Sequence, residues 1–423
     1  MLVTNGETES AAVKPLDGIR VVEMAGFVAA PSAGAVMADL GAEVIKIEPP
    51  TGDPYRGLMR PPKINGQRIA FDPSFAIDNR GKRSLAIDVT TDTGQSVVQR
   101  IVATADIFLC NMLPHRQQRY GFDARSLRAV NSRLVHATLT GYGTQGDEAD
   151  RPGYDVTAYF ARGGFADLSA DPGDGRPSRY PQAAGDHATG MALVSGILAA
   201  LRLAERTGEF QEVETSLLAN SLWAIAGDLS VALVDGRRPA ARDRLNVLNA
   251  AVNIYQGGDG RWMVLNNPVP ASFPPFCRAL GVEWVLDDPR FATPRDRMLN
   301  MAELVPVLDA VMVTRTVAEW GELFDEGGIV WARVQSLDEV AKDKQARANG
   351  YFVPLDHYIG LDGEQADAGE PIETVAVPFK LAGVDVGPTG PAPTVGADSD
   401  AVLSELGLSS SEIADLRQSG VVA

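Results

Sequence analysis

The sequence predicts an α/β fold: a large doubly wound, Rossmann-like parallel-sheet domain with a smaller α+β domain inserted in it. Three observations carry that expectation. Short apolar runs (IRVVEM, EVIKIE, SLAIDV, DIFLCN, LVHATLT) alternate with helical patterns through the first part of the chain, and such alternation builds a parallel sheet covered by helices. Glycine and proline account for 42 and 27 of the 423 residues, which suits a loop-rich α/β protein better than a helical bundle. The length allows two or three domains of roughly 150 residues each.

Taken in order, IRVVEM and EVIKIE flank a helix in AGFVAAPSAGAVMADLGA, with Pro31 in its first turn, where a missing N–H costs little. This is a βαβ unit, so its strands are parallel. Residues 84–89 form a third strand before a helix over 93–103, and residues 106–111 and 134–140 a fourth and fifth. Ligands of such sheets sit beyond the carboxyl ends of the strands, here 24–30, 88–90, 111–114 and 140–143. After a Gly-, Pro- and Asp-rich loop over 163–185, a helix starts near Asp186, with Met191, Val194, Ile197, Leu198 and Leu201 as its buried face. The stretch from Ala188 to Leu201 is too short to span a bilayer. VNIY and RWMVL, joined by QGGDG, read as a hairpin. Thr316 with Glu319, and SSSEIADL near the end, have capping-box spacing. The expected organisation is 15–217 as the first part of the large domain, 218–241 as a linker and 242–340 as the small domain. A second linker, 341–371, leads to 372–423, which returns to the large domain.

Charge and cysteine content exclude several classes. The formal net charge is −17 and the pI near 4.7, which argues against a nucleic-acid or anionic-membrane surface. With only Cys110 and Cys277, and with His115, His136, His187 and His357 far apart, neither a disulfide framework nor a paired-Cys or HExxH metal site can be built. The start shows no basic segment followed by an apolar one, so a cytoplasmic location is expected. AGFVAA has one glycine where a dinucleotide fingerprint needs three, Ala76 stands where a P-loop before Gly81 and Lys82 needs glycine, and GxSxG is absent.

Two features remain. Between Arg56 and Arg83 lie seven cations (Arg56, Arg60, Lys63, Arg68, Arg80, Lys82, Arg83) and two acids, Asp72 and Asp78. This is either a solvated loop or a cradle for ligand phosphates. GYD ends at Asp155, and GD follows with Asp186 ahead of the apolar helix. Both aspartates read as helix caps, yet an aspartate held anionic at a helix N-terminus is also able to attack a carbonyl.

At these residues the chain resembles the CaiB/BaiF family, the class III coenzyme A transferases, which includes formyl-CoA transferase, carnitine CoA-transferase and α-methylacyl-CoA racemase. The matching stretches are PLDGIRVVEMAG, ADLGAEVIKIEPPTGDPYRG, RGKRSLAIDV, RPGYD, GDHATGMALVSGILAAL and LSELGLSSSEIADLRQSGVV, from Pro15 to Val422. The resemblance implies the family's fold and an interlocked homodimer. It implies acyl-CoA and a carboxylic acid as substrates, with no permanently bound cofactor and no metal. It makes Asp186 the nucleophile, forming an aspartyl anhydride and then an aspartyl-CoA thioester, with Tyr154 and Asp155 in support. CoA contacts are implied at Val28, Ala29, Lys82, Arg83, Ile87, Asp88, Val89, Thr90, Asn111, Met112 and Arg119.

The chain also departs from the family's patterns. Racemases carry His where Tyr154 stands, and tyrosine, with an ordinary pKa of about 10, is a poor base at neutral pH; transferase is therefore expected over racemase. His187 is expected to be a first-turn surface residue. Pro49 replaces an Arg that contacts CoA in some members. Val28 stands where formyl-CoA transferases carry Gln, and with Phe27 and Met24 it suggests a larger, less polar acyl group. A noncatalytic CoA-binding protein is the alternative outside enzymes.

Overall fold

The computed structural model describes residues 13–58, 63–64, 67–68, 72–171, 173–236, 243–355 and 372–423. Arg60, His357 and residues 356–371 of the expected second linker lie outside them, and of Lys63 and Arg68 only the backbone is described. The chain divides into two compact units. The first runs to Ala166, resumes over Arg179–Asp235 and takes the chain from Arg347 onward; the second is Asp167–Ser178 with Gly236–Ala346.

The first unit is built on six parallel strands: β1 Arg20–Met24, β2 Glu43–Glu48, β3 Arg83–Ala86, β4 Ile107–Cys110, β5 Val135–Thr140 and β6 Gln211–Ser216. Their order is β3-β2-β1-β4-β5-β6. The direction of travel therefore reverses between β1 and β4, and a crevice opens beyond the ends of those two strands. The helices of this unit include α1 Ala29–Asp39, α2 Pro73–Asn79, α3 Asp92–Val102, α4 Pro114–Tyr120, α5 Ala124–Val130, α6 Ala184–Thr207, α7 Leu217–Ala224 and α8 Ala226–Asp235, and α8 buries none of its residues.

One apolar core, with Ala33, Met37, Leu109, Ala137, Leu193 and Ile197, packs α1 and α6 on the sheet. The other joins α3 to the far face through Val98, Ile101, Phe108 and Phe122, and includes Leu403 and Ile413 of the returning C-terminal segment. That segment also closes the edge of the sheet. Ala423 N–H donates to the Ala86 carbonyl at 3.1 Å, and Asp88 N–H donates to the Val421 carbonyl at 2.8 Å.

Every residue of α1 is buried, which its run of small side chains permits. It lies close against α6 because Gly190 has no side chain: a Cβ there would stand 2.1 Å from Ser32 Oγ and 2.7 Å from the Ala29 carbonyl oxygen.

The structure changes several expectations. α6 buries Val194, Ile197 and Leu201 as expected, but Leu193 faces the core where Leu198 was placed, and Leu198 is 36% exposed. At 24 residues, α6 is long and apolar enough to cross a membrane by length and composition, contrary to the estimate from Ala188 to Leu201 alone. Here it packs on the sheet. Residues 217–235, expected to be mostly a linker, form α7 and α8, bent by 82° from each other. β6 reads as polar in sequence because it is an edge strand whose Glu212 and Glu214 face solvent.

In the second unit, Val252–Gln256 and Trp262–Asn266 form the antiparallel hairpin, and Trp331–Arg333 pairs with the second strand. Tyr255, Phe276, Leu304, Leu308, Trp320 and Phe324 lie in its core. Thr316 and Glu319 form the expected capping box.

Candidate active site

A cavity of about 430 Å³ opens at the reversal point of the sheet. Its wall comes from Met24–Ala29 after β1, Ile87–Thr90 after β3, Asn111–Leu113 after β4 and Thr140–Gly141 after β5. The β1 and β4 ends are tied together: Gly26 N–H donates to Asn111 Oδ1 at 3.2 Å, and Asn111 Nδ2 donates to the Gly26 carbonyl at 2.8 Å. Phe27 follows in the left-handed region, with φ 64°, a conformation that costs on the order of 1–3 kcal/mol for a bulky residue.

A buried charge cluster holds that turn. Asp53 Oδ1 accepts from Phe27 N–H at 3.1 Å and from Tyr55 N–H at 2.9 Å, while its other oxygen pairs with Lys46 Nζ at 2.9 Å. Lys46 also donates to the Ala25 carbonyl at 2.8 Å and pairs with Glu23 at 3.2 Å. Burial acts to lower the Lys46 pKa, but the carboxylates of Glu23, Asp53 and Glu48 outweigh it and raise the value.

Lys82 lies in this cluster. Its ammonium is buried against Glu23 at 2.7 Å, with further bonds to the carbonyls of Pro31 and Asp78 and to Asn79 Oδ1. Burial pushes its pKa down to about 8. The other described cations of the run are also committed: Arg80 to Asp39 at 2.6 Å, Arg56 to Glu48 at 2.7 Å, and Arg83 to Glu43 and Glu405. Of the two readings of this run, the phosphate cradle does not hold for Lys82, whose charge is spent on Glu23 inside the fold, while Arg83 pairs with Glu43 and Glu405 at the surface.

Asp186 lines the cavity from the first turn of α6. It does not cap that helix; the N-cap is Ala183, in the left-handed conformation with φ 61°. Gly185 sets what stands behind it, since a Cβ there would lie 2.4 Å from Asp155 Oδ1 and 2.5 Å from the Tyr159 ring. Asp155 is likewise no cap. Tyr154 precedes a π-helical stretch over Asp155–Ala161 and donates its N–H to Thr157 Oγ1 at 2.9 Å.

Both carboxylates are harder to ionise than usual, correcting the expectation of a dipole-stabilised anion. Burial lifts Asp155 to about 6, opposed by the N–H of Gly185, the charge of His187 and the N–H of Ala183. Burial lifts Asp186 to about 7, the Asp155 charge adds to it, and His187 opposes it. His187 is not a simple surface residue either. Its Nε2 lies 2.9 Å from the buried Asp78 Oδ1, and this hydrogen bond raises the histidine's pKa.

Of the residues singled out from sequence, Val28, Ala29, Ile87, Asp88, Val89, Thr90, Asn111, Met112, Tyr154 and Asp186 share the cavity wall. Lys82, Arg83, Arg119 and Asp155 do not. Tyr154 is 53% exposed and stands edge-on to Phe27, with ring centroids 5.4 Å apart. Sequence reasoning missed Asp53, Arg116 and the apolar wall of Leu139 and Leu217, while Leu113 falls within the expected strand end 111–114. Only Asp53 had a local signal, the Gly52-Asp53-Pro54 turn.

Known proteins carry the same organisation. The chain is 29% identical over 411 residues to (R)-2-hydroxy-4-methylpentanoate CoA-transferase of Clostridioides difficile, covering 96% of this chain and 99% of that one. It is 31% identical over 404 residues to cinnamoyl-CoA:phenyllactate CoA-transferase of Clostridium sporogenes, covering 95% of each. The crystal structure of a CaiB/BaiF family protein from Brucella suis superposes with a TM-score of 0.79 at 28% identity, covering 93% of this chain and 99% of that one. Residues 16–399 match CoA-transferase family III, and with the sheet order and near full-length agreement this makes the chain an enzyme of that family, a CaiB/BaiF-type CoA-transferase.

Proposed function

We propose that Asp186 is the nucleophile that carries CoA from an acyl-CoA donor to a carboxylic acid. The carrying observation is its position: a carboxylate with no hydrogen bond among the described residues, on the cavity wall and in the first turn of a long helix. Its oxygen attacks the thioester carbonyl, the C–S bond breaks, and an aspartyl acyl anhydride forms with CoA thiolate. The thiolate then attacks the aspartyl carbonyl and expels the donor acid, leaving an aspartyl-CoA thioester. An acceptor carboxylate repeats the two steps in reverse, which restores Asp186 and yields the new acyl-CoA. Anhydride and thioester are close in reactivity, so neither intermediate is a deep well.

First-turn N–H groups of α1 and α6 have no partner inside their helices and supply donors for the developing oxyanion. The wall formed by Met24, Phe27, Val28, Leu113, Leu139 and Leu217 suits a branched or aromatic acyl group. The names of the relatives that act on 2-hydroxy-4-methylpentanoate and phenyllactate support that class. A homodimer and a cytoplasmic location complete the reading.

The test is hydroxylamine trapping after incubation with acyl-CoA, followed by peptide mass spectrometry. A hydroxamate on Asp186 is expected, and Asp186→Ala should bind CoA while losing turnover by at least about a thousandfold. Retained turnover in that variant overturns the assignment. Deuterium entering the α-carbon from solvent without CoA exchange would show a racemase instead.

A further inference from the structure

We propose that Arg116 is the cation that holds the phosphates of the CoA substrate in this chain, an inference that rests on the transferase reading. Among the described residues lining the cavity it is the sole Lys or Arg, beside four acids, Glu48, Asp53, Asp88 and Asp186. A polyanionic ligand entering that surround is repelled unless a cation meets it.

The neighbouring cations are already used. Lys46 and Lys82 are buried against Glu23 and Asp53, and Arg56, Arg80 and Arg83 each pair with a carboxylate. Pro49, on the same wall, brings no charge.

Arg116 differs from all of these. Its side chain is exposed and makes no ion pair among the described residues; its guanidinium only stands 5.9 Å from the Tyr120 ring centroid. On the same short helix, His115 is paired with Asp150 at 2.9 Å. Arg119 lies three residues on, hence beside Arg116 on the helix surface. It is also exposed, with its guanidinium 5.5 Å from the same ring. α4 thus presents a pair of uncommitted guanidinium groups, one of them at the cavity, in a chain whose net charge is −17. A guanidinium fork matches phosphate oxygens in pairs. Of the two, Arg116 lines the cavity itself, and Arg119 extends the positive surface outward.

The test is titration calorimetry with CoA, dephospho-CoA and pantetheine on the full-length protein, wild type and Arg116→Gln. An exposed guanidinium–phosphate contact predicts a loss of CoA affinity of about tenfold in the variant, with pantetheine binding unchanged. Arg116→Lys should recover part of the loss by keeping the charge. Arg133→Gln, an exposed charge change outside the cavity, should bind CoA as the wild type does. A loss on CoA but not on dephospho-CoA places the contact on the 3′-phosphate; a loss on both places it on the diphosphate. Unchanged CoA affinity in Arg116→Gln overturns the proposal, and so does an equal loss on pantetheine, which carries no phosphate. The readout is separate from catalysis: CoA binding that depends on Arg116 without any transfer would sink the transferase reading alone.

Discussion

At the scale of single residues, the site works against the ionisation of Asp186, the proposed nucleophile. Asp186 and Asp155 come together because Gly185 leaves room for the Asp155 carboxylate, and both oxygens of Asp155 are buried without a hydrogen bond of good geometry. A carboxylate raised from 3.8 to about 6 on folding binds its proton more tightly in the native state. It therefore supports stability fully below about pH 4, and that support is lost as pH rises through about 6. The stability of Asp155→Asn relative to wild type should accordingly improve by roughly 2 kcal/mol between about pH 4 and about pH 8. Urea denaturation at the two pH values measures this, and a pH-independent difference would contradict it. The same variant removes the like charge that helps lift Asp186 to about 7. In the wild type kcat/KM should rise with pH through about 7 as the nucleophile ionises, and in Asp155→Asn that limb should move to lower pH.

At the scale of elements, α6, which carries the proposed nucleophile, and α1, which begins at Ala29, approach most closely at Gly190. α6 lies on α1 at Gly190, and Ala29, whose carbonyl a methyl group there would strike, is itself in the cavity wall. Because one of the obstructing atoms is backbone, relief requires the helices to part. Gly190→Ala should cost on the order of 1–3 kcal/mol and lower kcat/KM by shifting Ala29 relative to Asp186; a stability change within about 0.5 kcal/mol of wild type would show that the packing is looser than described. Five strands and α6 were legible in the sequence because each is an apolar run with a clear period. β6 was not, since QEVETS buries only part of one face at the sheet edge. Leu198 fits the three-and-four spacing of the stripe, yet the buried face is centred on Leu193, Val194, Ile197 and Leu201, which leaves Leu198 at its margin. The strand-end segments of the site could be read from topology. Asp53, Lys46 and Arg116 could not, because whether a charge is spent on a neighbour or left for a ligand depends on contacts between residues far apart in the chain. That is also why the cationic run looked like a phosphate cradle until Lys82 met Glu23.

At the scale of the whole molecule, an apolar surface among the described residues has no role in the site. On α7 and α8, Trp223, Val231, Leu233 and Val234 are 82%, 57%, 77% and 89% exposed, in a protein otherwise rich in acid. Apolar residues clustered this way on a monomer mark an interaction surface, and the bend of 82° between the two helices spreads them around a corner that a flat contact would not fill. A second copy of the chain, expected from the family resemblance, is the proposed occupant, because an isologous contact brings the same patch from each side. The protein should therefore sediment as a dimer, near twice the 45.0 kDa of one chain. The pair Trp223→Glu and Val234→Glu should shift it toward monomer by placing unpaired charges in the contact, at a cost of several kcal/mol. Leu217 opens α7 and also lines the cavity, so dissociation should weaken transfer as well as assembly. A wild-type protein that sediments as one chain at micromolar concentration would remove the dimer, and binding of that chain to lipid vesicles would assign the patch to a membrane surface.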